Sequence, residues 1–119
     1  MYTLVECYFY NVITGKPTKP VISPNYVSVN VGDPATFTCT SSSTTKPQGS
    51  GLTMFYTWRR HGADVTSGGR YMASGQTLSV TNAVKGDSSD TITCTAREDK
   101  GLHSDESDSA RMLVICEYL

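Results

Sequence analysis

The chain lacks the features that would place it in a membrane, on nucleic acid or at a catalytic centre. Its longest apolar run, Met112 to Cys116, is far short of the roughly 20 residues a spanning helix needs. No stretch repeats apolar residues at a period of 3.6, so no packed helix is predicted. Charge of one sign is not in excess: 10 Lys and Arg oppose 11 Asp and Glu, for a net charge of −1. Such a balance creates no field that would draw the chain onto nucleic acid or an anionic membrane. No cysteine pair has the C-x-x-C spacing of a metal site, and the nearest histidine, His61, falls in a predicted turn. There is no Gly-x-Ser-x-Gly elbow, and no paired carboxylates fall on predicted strands. Neither an enzyme nor a cofactor is expected. None of Asn11, Asn25, Asn30 and Asn82 begins an Asn-x-Ser/Thr sequon, a mild argument against an animal cell-surface origin. Met1 is followed by Tyr2, Thr3, Leu4, Val5 and Glu6, with no basic start or apolar core of a secretory signal. Taken as a native start, it predicts a protein kept in the cytosol until something releases it.

What the chain does contain is β-forming. It has 119 residues, the size of one domain, and is rich in Thr, Ser, Val, Gly and Tyr. Ala35, Phe37 and Cys39 alternate with Thr36 and Thr38, and Ile92, Cys94 and Ala96 alternate with threonines. Tyr56 and Trp58 alternate with Phe55, Thr57 and Arg59. Each cysteine therefore shares a strand face with apolar neighbours. Strands are predicted at 21–22 with a continuation at 26–30, then at 35–40, 53–60, 64–66, 70–73, 77–81, 90–97 and 109–115. Gly32-Asp33-Pro34 and Ser67-Gly68-Gly69 mark the clearest turns.

Cys39, Trp58 and Cys94 stand 19 and 36 residues apart. With Pro20-Val21-Ile22-Ser23-Pro24, Val29-Asn30-Val31-Gly32-Asp33, Tyr56-Thr57-Trp58-Arg59-Arg60-His61-Gly62 and Thr77-Leu78-Ser79-Val80-Thr81-Asn82-Ala83, this order resembles an intermediate-type immunoglobulin domain over residues 20–114. The resemblance implies an all-β, two-sheet Greek-key sandwich of about seven to eight strands, with a Cys39–Cys94 disulfide packed on Trp58. It also implies an ion pair from Arg70 to Asp87 or Asp90. One departure is plain: Ile92 stands where the family usually places the corner tyrosine, two residues before the second cysteine.

Residues 1–19 read as a separate strand-like, aromatic head with a Pro-rich linker, and 20–119 as the domain. Five features bear on function. The connections before the third and last sandwich strands are polar, and in this fold they emerge at one end; Lys46, Gln48, Asp99, Lys100, His103, Asp105 and Glu106 form a candidate binding tip for a protein or a glycan. A cation site among these acids is disfavoured by spacing. Lys85-Gly86-Asp87, which resembles an integrin-binding tripeptide, is better explained by turn geometry. The last strand is apolar on both faces, so Leu113 and Ile115 require cover, from the head through Tyr8, Phe9 and Tyr10 or from a partner chain. Cys7 and Cys116 are candidates for a second bridge.

These features point to a non-enzymatic binding module. Two settings fit. The first is the virion surface of a tailed bacteriophage, as a decoration protein anchored by its termini to a capsid or tail protein. The alternative is an extracellular adhesion or immune-type recognition domain on an animal cell surface, meeting a cell-surface protein. Neither setting involves nucleic acid or a membrane span.

Overall fold

The computed structural model describes residues 15–44, 53–65, 69–98 and 102–116. Among the described residues nine strands form two sheets. The first has the order β1 (Val21–Ser23), β3 (Ala35–Thr40), β7 (Thr77–Val80) and β6 (Tyr71–Ser74), all antiparallel. In the second, β4 (Met54–Arg60) lies between β5 (Ala63–Asp64) and β8 (Ile92–Glu98), while β2 (Tyr26–Asn30) runs parallel to β9 (Arg111–Ile115). A bridge between Ile92 and Ala110 joins these two groups edge to edge. Strand placement follows the alternation in the sequence within a residue or two. The count reaches nine because the first strand switches sheets after Ser23, where the Ser23–Pro24 bond is cis.

The core fills the space between the sheets. Phe37, Leu78 and Val80 of one sheet face Trp58, Ile92, Met112 and Val114 of the other, all fully buried. Cys39 and Cys94 form the disulfide that crosses between them. Trp58 lies against this bridge on the strand paired with Cys94, and its indole N–H donates to the Gly75 carbonyl at 3.0 Å. Burying an indole requires such a partner, because an unmade bond would carry the desolvation cost of the N–H.

Between β8 and β9 the chain departs from strand geometry. From Leu102 to Ala110 burial recurs at every third residue, at Ser104, Ser107 and Ala110. Three residues per turn is the period of a polyproline II helix. The three small residues meet Ala96, Cys94 and Ile92 of β8, whose inward residues recur at every second position. The two periods are reconciled by serine. Ser107 N–H donates to the Cys94 carbonyl at 2.9 Å, and the Cys94 N–H donates back to Ser107 Oγ at 2.9 Å. Ser104 does the same with Ala96, at 2.7 and 2.8 Å. Side-chain oxygens thus replace carbonyls that a regular strand would have offered.

A second run with the same period lies beside it. In the stretch read from sequence as a linker, Pro17 and Pro20 are buried while Lys16 and Lys19 face out. Lys16 reaches Asp105 at 2.6 Å and Lys19 reaches Asp108 at 2.8 Å. Each pair is separated by 89 residues in sequence, so the two runs travel in parallel and in register. On its other side the run is tied to the end of β3: Thr18 N–H donates to the Ser42 carbonyl, and Ser41 and Thr44 hydroxyls donate to the Thr18 and Lys16 carbonyls. Residues 15–19 are therefore packed onto the sandwich.

Candidate functional site

The sandwich has two ends, and the predicted residues divide between them. At the end where β3, β4 and β8 meet their connections, Gly15 enters beside Thr44, and Ser43 donates to the buried Glu98 at 2.8 Å. Here the described members of the expected binding tip are His103, Asp105 and Glu106. Lys46, Gln48, Asp99 and Lys100 lie outside the described residues. His103 is exposed and bridges Arg97 through the backbone. The acids are largely engaged within the molecule. Asp105 and Asp108 hold Lys16 and Lys19, and Glu106 accepts from the Thr93 hydroxyl at 2.5 Å, with Arg59 at 3.9 Å. Lys16 holds the Asp105 carboxyl below its ordinary value by hydrogen bond and charge. Among the described residues no cluster of His, Cys, Asp and Glu is arranged to hold a metal.

The opposite end carries a buried charge network. Asp87, in the short 3₁₀ turn Lys85–Ser89, is 1% exposed. Arg70 grips both its oxygens, at 2.7 and 3.0 Å, and the Val84 N–H donates to it at 3.0 Å. Burial favours the neutral acid, but these donors outweigh it and hold the Asp87 carboxyl below its ordinary value. The ion pair that the resemblance implied is made to Asp87. The same burial removes Lys85-Gly86-Asp87 from use as a recognition tripeptide.

Asp90, equally buried, gathers three donors: the Tyr71 hydroxyl at 2.5 Å, Arg60 Nε at 2.7 Å and His61 Nε2 at 2.6 Å. Here too burial opposes ionisation and the Tyr71, Arg60 and His61 bonds reverse the balance, lowering the carboxyl. Burial and then the Asp90 hydrogen bond push the Tyr71 phenol up, so it remains a neutral donor. The Arg60 and Arg70 guanidinium groups stand 4.3 and 5.6 Å from the Tyr71 ring centre. This network resolves the departure at Ile92, which is fully buried in the core. Tyr71 ties the corner from β6 instead. The resemblance set Arg70 beside Asp87 or Asp90, but nothing in the spacing of Tyr71 and Asp90 shows that the phenol turns to that carboxylate.

Leu113 and Ile115 lie on the outer face of β9, 37% and 40% exposed, while Met112 and Val114 point inward. Cys116 follows as an exposed free thiol, at the end opposite Gly15. Cys7, Tyr8, Phe9 and Tyr10 fall outside the described residues, and with them the expected second bridge and the aromatic anchor.

A disulfide-pinned sandwich of two antiparallel-based sheets, with its tryptophan on the bridge, defines an immunoglobulin fold. The sequence profile of the immunoglobulin domain matches residues 19–114, and the chain belongs to that family. Solved structures agree on the fold. The tandem Ig repeats of Dlar superpose with a TM-score of 0.61 at 23% identity, over 82% of this chain and 49% of that one. The N-terminal four Ig domains of Dscam1 isoform 4.44 give 0.60 at 24% identity, over 86% and 21%; those of isoform 1.9 give 0.61 at 24%, over 87% and 22%. The chain thus spans half or less of these multi-domain proteins. No curated protein sequence matches it significantly.

Proposed function

We propose that this chain is a non-enzymatic protein-recognition module of an extracellular or cell-surface protein. The observation that carries the reading is how the polar groups are used. The buried carboxylates Asp87 and Asp90 are consumed in structural bonds, whereas the exposed apolar side chains Tyr26, Val31, Leu113 and Ile115 stand on or beside the β2–β9 pair. Charge is spent on holding the fold, and apolar surface suited to a partner is left outside. A disulfide-pinned core suits an oxidising compartment. The resemblance to tandem Ig structures supports the extracellular setting, expected from sequence as the alternative. The virion-surface setting, with its capsid or tail partner, rested on reading Met1 as a native start, on the lack of sequons and on the apolar termini; neither the family nor the similar structures speak for it. Nothing at the described tip favours a glycan.

The test is to locate the natural protein and its redox state together. Antibody staining of intact, unpermeabilised cells is expected to detect it, and mass spectrometry of the recovered protein to find Cys39 joined to Cys94. Detection confined to the cytosol, with both thiols reduced, would overturn the reading.

A further inference from the structure

The outer face of the first sheet is unlike the rest of the described surface. Alternation turns nine side chains outward: Val21 and Ser23 on β1, Thr36, Thr38 and Thr40 on β3, Thr77 and Ser79 on β7, and Met72 and Ser74 on β6. Seven of them carry a hydroxyl and none carries a charge. A soluble surface with about a quarter to a third of its positions charged would place about two or three charges there. The outer face of the second sheet, by contrast, holds Arg59, Arg97 and Arg111.

These hydroxyls also differ in how they are used. Those of Ser41, Thr44, Ser104 and Ser107 are bound to neighbouring backbone. Among the described residues no protein group bonds to the side-chain oxygens of the seven on this face. Register lines them up. Ser23, Thr38, Thr77 and Ser74 form one row across all four strands, Thr36, Ser79 and Met72 form the next, and Thr40 stands opposite Val21. Neighbours in a row lie about 5 Å apart. The apolar members, Val21 and Met72, are 66% and 49% exposed.

We propose that Thr36, Thr38 and Thr40 of β3 are acceptor sites for O-linked sugar; the inference rests on the extracellular setting proposed above. Each is an exposed, unbonded hydroxyl with no charge beside it, and hydroxyl-rich surfaces are the substrates of such transfer. The threonine Oγ attacks the anomeric carbon of a sugar carried as a phosphate ester. As that C–O bond forms, the bond from the same carbon to the phosphate oxygen breaks; the phosphate leaves with the electron pair, and the hydroxyl proton passes to a base of the transferase. A sugar on Thr40 lies against Val21, and a short chain on Thr36 reaches Met72, two strand spacings or about 10 Å away. The glycan thus hydrates a face that has no charge of its own. Linkage through hydroxyls needs no Asn-x-Ser/Thr sequon, and the chain contains none.

Mass spectrometry of the full chain recovered from its natural cells tests this. The intact mass is expected to exceed that of the polypeptide by whole sugar residues, and fragmentation that preserves glycosidic bonds should place them on Thr36, Thr38 or Thr40. Expressed through the secretory pathway of the same cells, a variant combining Thr36→Val, Thr38→Val and Thr40→Val should lose that mass, whereas Ser109→Ala, also exposed, should keep it. Valine preserves the β-branched shape, so the urea midpoint of the variant should stay close to that of unglycosylated wild type. If the triple variant is not secreted, the site mapping on wild type decides alone. Wild type at its bare polypeptide mass, or with sugar only outside β3, would overturn the proposal. Bare protein on intact cells with Cys39 joined to Cys94 overturns the glycan alone and leaves the face to a protein partner; bare protein confined to the cytosol with both thiols reduced overturns the recognition module as well.

Discussion

Removing one hydroxyl at Ser107 tests the account of how β8 is paired. Ser107→Ala deletes the Oγ that accepts the Cys94 N–H at 2.9 Å, while the Ser107 backbone, which donates to the Cys94 carbonyl, is untouched. The Cys94 residue is fully buried, so water cannot replace the acceptor. An orphaned buried N–H costs about 1–3 kcal/mol. The other bond of Ser107 Oγ, to the Asp108 carbonyl at 3.0 Å, adds little, because Asp108 is exposed and its carbonyl can turn to solvent. With a urea slope of about 1–1.5 kcal/mol per molar, a 2 kcal/mol loss moves the midpoint down by about 1.5 M. Urea unfolding with the disulfide intact measures this, with Ser109→Ala as the exposed control, expected within about 0.5 kcal/mol of wild type. Hydrogen exchange adds a local readout: the Cys94 amide should lose protection about 30-fold, the factor equivalent to 2 kcal/mol. A Ser107→Ala midpoint equal to that of Ser109→Ala, with Cys94 exchange unchanged, would refute serine-mediated pairing.

Four further outcomes follow from the same geometry. Arg70→Ala should cost about 3–5 kcal/mol by stranding the Asp87 carboxylate in the core; a loss below about 1 kcal/mol in calorimetry would show that the pair is dispensable. Asp87 and Asp90 both have carboxyls lowered on folding, so their contribution is complete above the unfolded value near 4 and is lost as pH falls through the lower folded values; an acid titration followed by Trp58 fluorescence should stay flat from pH 7 to about 5 and fall below about 4. Trp58→Phe should lose about 2–4 kcal/mol, mainly through the cavity left in the core, with a smaller part from the lost bond to the Gly75 carbonyl, and unfolding by near-ultraviolet circular dichroism checks it. Lys16→Glu with Lys19→Glu should lower the urea midpoint only slightly, because both pairs are exposed and screened by solvent; if raising the salt concentration leaves the difference from wild type undiminished, the pairs are not acting through screened charge.

What could be read from the residues, and what could not, divides by the range of the interaction involved. Alternation around Cys39 and Cys94 placed β3 and β8 because a half-buried strand writes its period of two directly into the chain. The apolar character of Leu113 and Ile115 raised the matter of an outer surface, and both lie partly exposed beside β2. The rail from Ser104 to Ala110 escaped notice for the opposite reason. Its buried positions are serines and an alanine, and a period of three among Asp, Glu and Ser resembles solvated loop until the serines are seen to accept bonds from β8. The acids between them then looked free for a ligand, although Lys16 and Lys19, 89 residues earlier in the chain, neutralise two of them. Similarly, Ile92 looked like the loss of a corner bond because the replacement comes from Tyr71 on another sheet, through Asp90. Local period can be read along a chain, but a bond between distant segments has no period. The β2 edge lies between these cases. Its lack of charge is written in five consecutive residues, yet only the parity of its bonds to β9 shows that Tyr26 and Ser28 turn their backbone groups outward.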